Sequence, residues 1–212
     1  MPDTTALTPL AVMALALLRE DEMHPYEMMR LLQRRREERL VRLQKGTLYH
    51  AVRRLERDGL VAEVGIDREG NRPERTTYAL TPAGDHAVEA WIRAELPRID
   101  RPAEFRVALA EAHNLGRDEV VALLAERRVL LAAARDDLRD RLADGAERAV
   151  PFQFLVEADH ERMLLDAEIA WQDALCARLE TRELPWGLDE IPEDHVSDRF
   201  FDGANREEKT PA

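Results

Sequence analysis

The 212-residue sequence has little cysteine, few aromatic residues and no long hydrophobic run. Its single cysteine, Cys176, excludes an internal disulfide and a zinc cluster built on several cysteines. The longest apolar stretch, residues 6–18, is too short to span a bilayer, and it follows Asp3 instead of the basic segment that opens a secretory signal. With 45% hydrophobic and 35% charged residues, the composition predicts a globular, cytoplasmic protein of one or two domains.

Signatures of catalysis are also missing. The sequence contains no GxSxG, P-loop or dinucleotide-binding fingerprint, and its six histidines have no HExxH or CxxC partner. Glu157 and His160 have the spacing of a di-iron carboxylate motif, but such a site needs the motif twice and two further glutamates facing the same interior. We therefore expect neither a metal nor a cofactor, and no enzymatic activity.

Charge is distributed unevenly along the chain, whose formal net charge is -12. Residues 1–83 carry 14 Lys and Arg against 13 Asp and Glu, whereas residues 84–212 carry 17 against 30. Within the first part, residues 30–57 hold nine arginines and Lys45 against three glutamates. Such asymmetry indicates that the first part binds a polyanion, although a solvated helix face would show the same charges.

Helix signals punctuate the first hundred residues. Thr8-Pro9 and Thr81-Pro82 are typical of an N-cap followed by proline at the first helical position, and Pro25 opens a helix between them. A further helix begins at Gly46-Thr47, with Thr47 as its cap, and ends near Gly59, where a left-handed residue belongs. Its apolar stripe consists of Leu48, Ala51, Val52 and Leu55.

A β-hairpin follows this helix. Residues 60–66 alternate, with Leu60, Val64 and Ile66 on one side, and residues 75–80 alternate again after a charged turn. Three helices, a hairpin and a fourth helix that runs to about residue 96 make up the order of a winged helix-turn-helix domain.

The remainder of the chain is predicted to be helical. After a linker at 97–102, helices are expected at 103–114, 117–143 and 152–182. Their apolar residues recur at heptad-like spacing and include Leu124, Leu131, Leu138, Leu164, Trp171 and Leu175. An isolated hairpin of such helices leaves apolar faces open, which predicts a four-helix dimer interface. The alternative is that these helices fold back on the N-terminal domain of the same chain.

Several motifs of the first domain resemble the PadR family of bacterial transcriptional regulators. They are QKGTLY at 44–49, RRLERDGL at 53–60, HPYEM at 24–28 and YALTPAG at 78–84, followed by Trp91. The resemblance covers residues 8–92 closely, with Pro25 in place of the usual glycine, and is less specific for the two long helices. It implies a winged-helix DNA-binding domain, a C-terminal dimerisation domain and a role as a transcriptional regulator.

The predicted recognition helix supports the same interpretation through its chemistry. Its apolar stripe leaves a polar face formed by Thr47, Tyr49, His50, Arg53, Arg54 and Arg57. Arginines contact phosphates or guanine edges, and a tyrosine hydroxyl bonds phosphate. Lys45 and the backbone amides near Gly46 lie at the helix N-terminus, which favours a phosphate.

Other DNA contacts are expected from neighbouring elements. Arg72 and Arg75 of the hairpin are candidates for the minor groove, although Asp67, Glu69 and Glu74 are interleaved with the arginines of the tip. We expect Tyr26 to combine core packing with a phosphate contact, with packing the main role.

Trp91 is the candidate for an effector site. PadR-like proteins are expected from the resemblance to bind aromatic or planar ligands between protomers, where Trp91 would lie if the fourth helices of two protomers cross. The alternative, which we favour, is a core tryptophan. Nothing in the sequence identifies an effector.

Together these observations predict a mostly α protein in four parts. They are an α+β winged helix-turn-helix domain at 1–96, a linker at 97–102, an all-α dimerisation domain at 103–184 and a flexible acidic tail at 185–212. The predicted function is sequence-specific binding of an inverted repeat in double-stranded DNA by a homodimeric repressor. A winged-helix module that binds only proteins is the main alternative, and a small helical metalloenzyme is a weaker one.

Overall fold

A computed structural model of the chain describes residues 7–67, 75–187 and 190, with only the backbone of residues 66, 67 and 75. Its elements are α1 (Pro9–Glu20), α2 (Pro25–Arg34), α3 (Lys45–Arg57), β1 (Val61–Asp67), β2 (Arg75–Leu80), α4 (Pro82–Glu95), α5 (Pro102–Ala110), α6 (Arg117–Glu147) and α7 (Val156–Glu180). The predicted mostly α fold, with a two-stranded antiparallel hairpin, is confirmed.

Side-chain caps start three of the N-terminal helices. The Thr8 hydroxyl accepts a hydrogen bond from the Ala11 amide at 3.3 Å, and the Thr81 hydroxyl accepts one from Gly84 at 3.1 Å. Each threonine is followed by proline, as predicted. His24 caps α2 reciprocally: its Nδ1 accepts from the Tyr26 amide, while the Glu27 carboxylate accepts from the His24 amide at 2.9 Å.

The start of α3 differs from the prediction. The helix begins at Lys45, with extended Gln44 at the N-cap, and the Leu48 amide already bonds the Gln44 carbonyl at 3.1 Å. The prediction that Thr47 caps this helix is wrong, because Thr47 already lies inside the first turn. The predicted C-terminal signal is confirmed, since Gly59 adopts a left-handed φ of 72° after the last turn.

The hairpin contains an irregularity that the sequence pattern does not show. β1 pairs with β2 in antiparallel register, with Val61 opposite Leu80, and a bulge lies between Glu63 and Gly65. Leu60 and Val61 are buried, whereas Val64, which the bulge leaves without a partner on β2, is exposed. The predicted alternation, with Leu60, Val64 and Ile66 on one side, is therefore interrupted at Val64.

One continuous hydrophobic core joins the first domain to the base of the C-terminal helices. Nearly every residue of α1 from Leu10 to Leu18 is buried, because helices and the hairpin surround it. The same cluster contains Val120, Leu124 and Leu179. The base of the long helices thus packs on the N-terminal domain of its own chain. The alternative prediction, that the C-terminal helices fold back on this domain, holds for their base.

The long helices α6 and α7 form an antiparallel hairpin with bounds that differ from those expected. α6 continues to Glu147, α5 already ends at Ala110, and α7 begins at Val156 after a short 3-10 turn. At the closed end a Cβ on Gly145 would lie 2.6 Å from a Leu155 methyl carbon, so glycine permits this close approach. Within the described chain, no helix combines the length and hydropathy that a bilayer span requires.

The predicted dimerisation residues differ in their burial within one chain. Leu124, Leu131 and Leu138 are buried between the elements of a single chain, whereas Leu164 and Trp171 are 58% and 45% exposed. Leu175 is partly buried against the core. Burial of the three α6 leucines is thus achieved without a second chain, which the heptad spacing alone does not reveal.

The segment after α7 is attached to the start of α6. Arg117 donates hydrogen bonds to the carbonyls of Leu179 and Leu184 and pairs with Glu190. The Trp186 indole N–H donates to the Leu115 carbonyl at 3.0 Å. Trp186 and Glu190 thus contact the start of α6, while residues 188–189 and 191–212 lie outside the described residues, and the flexible tail from residue 185 stays a prediction.

Candidate nucleic-acid interface

Helix α3 presents one apolar face to the core and one polar face to solvent. Leu48, Val52 and Leu55 are at most 1% exposed. Because a helix repeats every 3.6 residues, their burial turns the other side outward. This side exposes Thr47, His50, Arg53, Arg54 and Arg57, together with Lys45 and Gly46 at the helix start. Tyr49 lies at the edge and is half-buried.

The cations of this face are largely without carboxylate partners. Among the described residues, Lys45, Arg53 and Arg57 form no ion pair, and Arg54 approaches Asp58 only at 3.6 Å. The one acid within the helix, Glu56, accepts a 3.5 Å hydrogen bond from the Tyr78 hydroxyl of β2. An open cleft of about 410 Å³ runs along this side and is lined by His50, Arg53, Glu56 and Arg57.

The basic surface extends beyond the predicted site. Across the described chain, five further arginines before α3 are exposed and form no ion pair: Arg30, Arg34, Arg36, Arg39 and Arg42. The sequence prediction of the site does not include them. Helical spacing gives no signal for them, because three of the five have a glutamate three or four positions away. The available signal is the excess of arginine within residues 30–57.

Two aromatic side chains connect α2 to this surface. The His24 and Tyr49 rings meet edge to face, with centroids 5.9 Å apart. Tyr26 is 43% exposed, so the expected balance between packing and phosphate contact shifts away from packing. The N-terminal end of α2 therefore adjoins the polar face of α3.

The hairpin contributes less to the described surface. Arg72 lies outside the described residues, and Arg75 is described only through its backbone, which pairs with Asp67 in the hairpin. Their predicted contacts with DNA remain predictions.

The candidate effector residue is part of the core. Trp91 on α4 is 2% exposed and belongs to the main hydrophobic cluster, as the favoured interpretation requires. Cys176 is partly buried against the same cluster, and burial raises the pKa of its thiol. A raised pKa disfavours the reactive thiolate, which fits a packing role. In the described part of the chain, no three His, Cys, Asp or Glu residues are placed to hold a metal ion.

Three helices, an antiparallel hairpin and an exposed basic third helix define a winged helix-turn-helix domain. The family model of the transcriptional regulator PadR-like family matches residues 14–90. Residues 14–90 of this chain are therefore similar to a family described as transcriptional regulators. A comparison with curated protein sequences finds no significant match.

Solved structures provide more distant likenesses. A PadR family transcription regulator from Clostridium difficile is 23% identical over 39% of this chain and 82% of its own, with a TM-score of 0.33. Bacillus subtilis PadR in complex with operator DNA is 17% identical over 80% and 98%, with a TM-score of 0.38. The same protein in complex with p-coumaric acid is 16% identical over 82% and 99%, with a TM-score of 0.36.

Proposed function

We propose that this protein is a cytoplasmic repressor that binds an inverted-repeat operator as a homodimer. Each protomer places α3 in a major groove of double-stranded DNA, with the hairpin along the backbone. The observation that carries the proposal is the polar face of α3, where Arg53 and Arg57 are exposed and have no ion pair among the described residues. Concentrated positive charge of this kind favours a polyanion, and arginine also recognises guanine edges.

An unpartnered apolar face on α7 supports the homodimer. Besides Leu164 and Trp171, this face exposes the apolar residues Met163, Ala167, Ala170 and Ala174. A helix that is apolar on its outer as well as its inner side is typical of one covered on both sides. A second copy of the α6–α7 hairpin would cover this face in a four-helix arrangement.

The C-terminal helices, residues 103–184, thus serve as the dimerisation domain, connected to the DNA-binding part by the turn at 97–102. The dimer holds two α3 helices at a fixed separation, which matches successive major grooves about 34 Å apart. An effector, if one binds, would act by changing this separation.

Selection from a pool of random-sequence duplexes tests the proposed function. We expect enrichment of an inverted repeat whose half-sites are about 10 base pairs apart, and an affinity that falls steeply with salt. Failure to enrich any sequence, with affinity insensitive to salt, would instead favour a winged-helix module that binds only proteins.

The dimer is tested with the variant L164E/W171E. Both positions are exposed in one chain, so the variant should fold but carry charges on the proposed interface. Light scattering should report a dimer for the wild type and a 24.3 kDa monomer for the variant. Val64→Glu is the matched control, because Val64 is 48% exposed on β1, away from α7. A variant that remains dimeric would exclude this interface.

A further inference from the structure

Tyr78 on β2 connects three segments of the N-terminal domain. The side chain is buried. Its backbone amide and carbonyl exchange hydrogen bonds with Met23, which precedes α2, at 3.2 and 3.1 Å. Its hydroxyl donates a hydrogen bond to the Glu56 carboxylate of α3 at 3.5 Å. Because a buried tyrosine hydroxyl usually requires such a partner, the backbone of β2 fixes where this donor meets α3.

Glu56 is a carboxylate in otherwise cationic surroundings. It is the one acid of α3, and it lines the open cleft along this helix together with His50, Arg53 and Arg57. It follows Arg53 by three positions, a spacing at which opposite charges on a helix pair with each other. Among the described residues, however, the Glu56 carboxylate contacts Tyr78 and forms no ion pair with Arg53.

The Tyr78 hydroxyl is a lasting donor in this contact. Burial, with the carboxylates of Glu56 and Glu63 nearby, raises the pKa of Tyr78 above its ordinary value, while the positive charge of Arg53 opposes this shift. The hydroxyl therefore keeps its proton at physiological pH and can donate to a carboxylate. The influence of Arg53 on this pKa also indicates that its guanidinium lies near the same hydroxyl.

We propose that Tyr78 is a positioning residue for DNA recognition, because its hydroxyl holds the Glu56 carboxylate at the hairpin and away from Arg53. The inference rests on the proposed function and assigns Tyr78 a role in it. While Glu56 is held at the hairpin, the Arg53 guanidinium is available to a guanine edge or a phosphate. A released Glu56 would pair with Arg53 along the helix and compete with DNA for this cation.

A double-mutant cycle tests the role of Tyr78. The variant Y78F removes only the hydroxyl. It should lower the affinity for a selected operator duplex by about twofold for each protomer, or about fourfold for a dimer, because an ion pair at this helical spacing is weak. In the E56Q background there is no competing charge, so Y78F/E56Q should bind the operator as tightly as E56Q. Gel-shift titrations measure the four affinities.

The matched control is the variant D58N. Asp58 is exposed, approaches Arg54 at 3.6 Å and has no hydrogen bond to Tyr78 in the described structure. D58N therefore removes the same charge near the arginines of α3 without removing the partner of Tyr78. Y78F should weaken operator binding by D58N as much as it weakens binding by the wild type. Thermal unfolding of each variant shows whether stability has changed.

Rescue by E56Q distinguishes positioning from a structural role. If the hydroxyl only stabilised the packing of the hairpin on α3, Y78F would cost the same affinity in all three backgrounds, and this result overturns the proposal. A loss that D58N abolishes as fully as E56Q also overturns it, because net charge would then explain the rescue.

The proposed function can fail separately from the role of Tyr78. A wild type that binds a selected operator with a steep salt dependence, and a Y78F variant that binds it equally well, overturn the positioning role alone. A wild type that selects no operator and is insensitive to salt overturns the proposed function, and the role of Tyr78 with it.

Discussion

Arginines of residues 30–57 and arginines of the C-terminal helices share one chemistry but have opposite surroundings. Between α6 and α7, Arg127 bonds Glu168 at 2.5 Å, Arg128 bonds Asp173 at 2.6 Å, and Arg139 bonds Asp166 at 3.2 Å. Most arginines around α3 have no such partner in the described chain. Paired arginines hold helices together, whereas clustered unpaired ones leave a field that an external polyanion can neutralise.

Arg35 marks the boundary between these two groups. It belongs to the basic segment by sequence but pairs with Glu20 at the end of α1. Nearby, the Arg106 guanidinium of α5 donates a 2.7 Å hydrogen bond to the Arg39 carbonyl. These contacts fix the turn that leads into α3 against α1 and α5. The position of the recognition helix is therefore coupled to the first C-terminal helix.

The largest effect is expected where a paired arginine is buried. Arg127 is 3% exposed, bonds Glu168 and lies 3.5 Å over the Phe105 ring. Arg127→Ala should lower the free energy of unfolding by about 3 kcal/mol, because it leaves a cavity and an unpaired carboxylate. Urea denaturation measures this loss.

The variant Arg127→Met distinguishes the contribution of side-chain packing to stability from the contribution of the charge. Two of the Arg127 nitrogens, Nε and Nη1, lack an acceptor in the described structure, so methionine avoids their burial and should recover most of the stability. If alanine is tolerated as well as methionine, Arg127 does not hold these helices together.

Substitution of an unpaired, exposed arginine should change the affinity for DNA and leave the stability unchanged. Arg53→Ala should weaken operator binding by about 1–3 kcal/mol if Arg53 reads a base, while leaving thermal unfolding unchanged. Gel-shift titrations and calorimetry measure the two quantities. Unchanged affinity would remove Arg53 from the DNA-binding surface, and a lowered melting temperature would give it a structural role.

The half-buried carboxyl of Glu111 should make the stability of the protein depend on pH. Burial, with Glu37 and Glu20 nearby, raises the pKa of Glu111 from 4.5 to about 8. A carboxyl with a raised pKa in the folded state stabilises the protein below its unfolded pKa, and this contribution is lost as pH rises from about 4.5 to 8.

Glu111→Gln should therefore flatten the pH dependence of unfolding between about pH 5 and 8, relative to the wild type. Chemical denaturation at a series of pH values measures it. Glu104→Gln on α5, the helix that ends just before Glu111, is the control variant for the loss of one carboxylate. Parallel profiles for the wild type and Glu111→Gln would contradict the raised pKa.

The smallest effect is expected for an exposed ion pair. Arg128 and Asp173 are each 46% exposed, and solvent and salt screen such exposed pairs. Arg128→Ala should therefore leave the free energy of unfolding close to that of the wild type, and closer still in high salt. A loss as large as that of Arg127→Ala would show that exposure does not separate the two pairs.

Features that depend on near neighbours in the chain were predictable. Threonine before proline marks the starts of α1 and α4, and the spacing of Leu48, Val52 and Leu55 identifies the buried side of α3. The wrong predictions involve features that such patterns do not encode. The backbone at Gln44 starts α3 early, and the bulge beside Val64 turns its side chain outward.

The burial of the heptad-spaced leucines on α6 was predictable, but the segment that covers them was not. The spacing of Leu124 and Leu131 indicates an apolar seam without saying whether α7 of the same chain or a second chain covers it. The structure places α7 there and leaves Leu164 and Trp171 outside. Likewise, no local pattern links Arg35 to Glu20 or Arg127 to Glu168, because these partners are distant in sequence.

The sequence by itself determined the helices, the hairpin, the basic segment and the side of α3 that faces away from the core. These properties arise from backbone periodicity and from residues a few positions apart. Only the tertiary structure decided which arginines meet a carboxylate and which apolar faces stay open. Both outcomes depend on distances between segments far apart in the chain, which packing alone establishes.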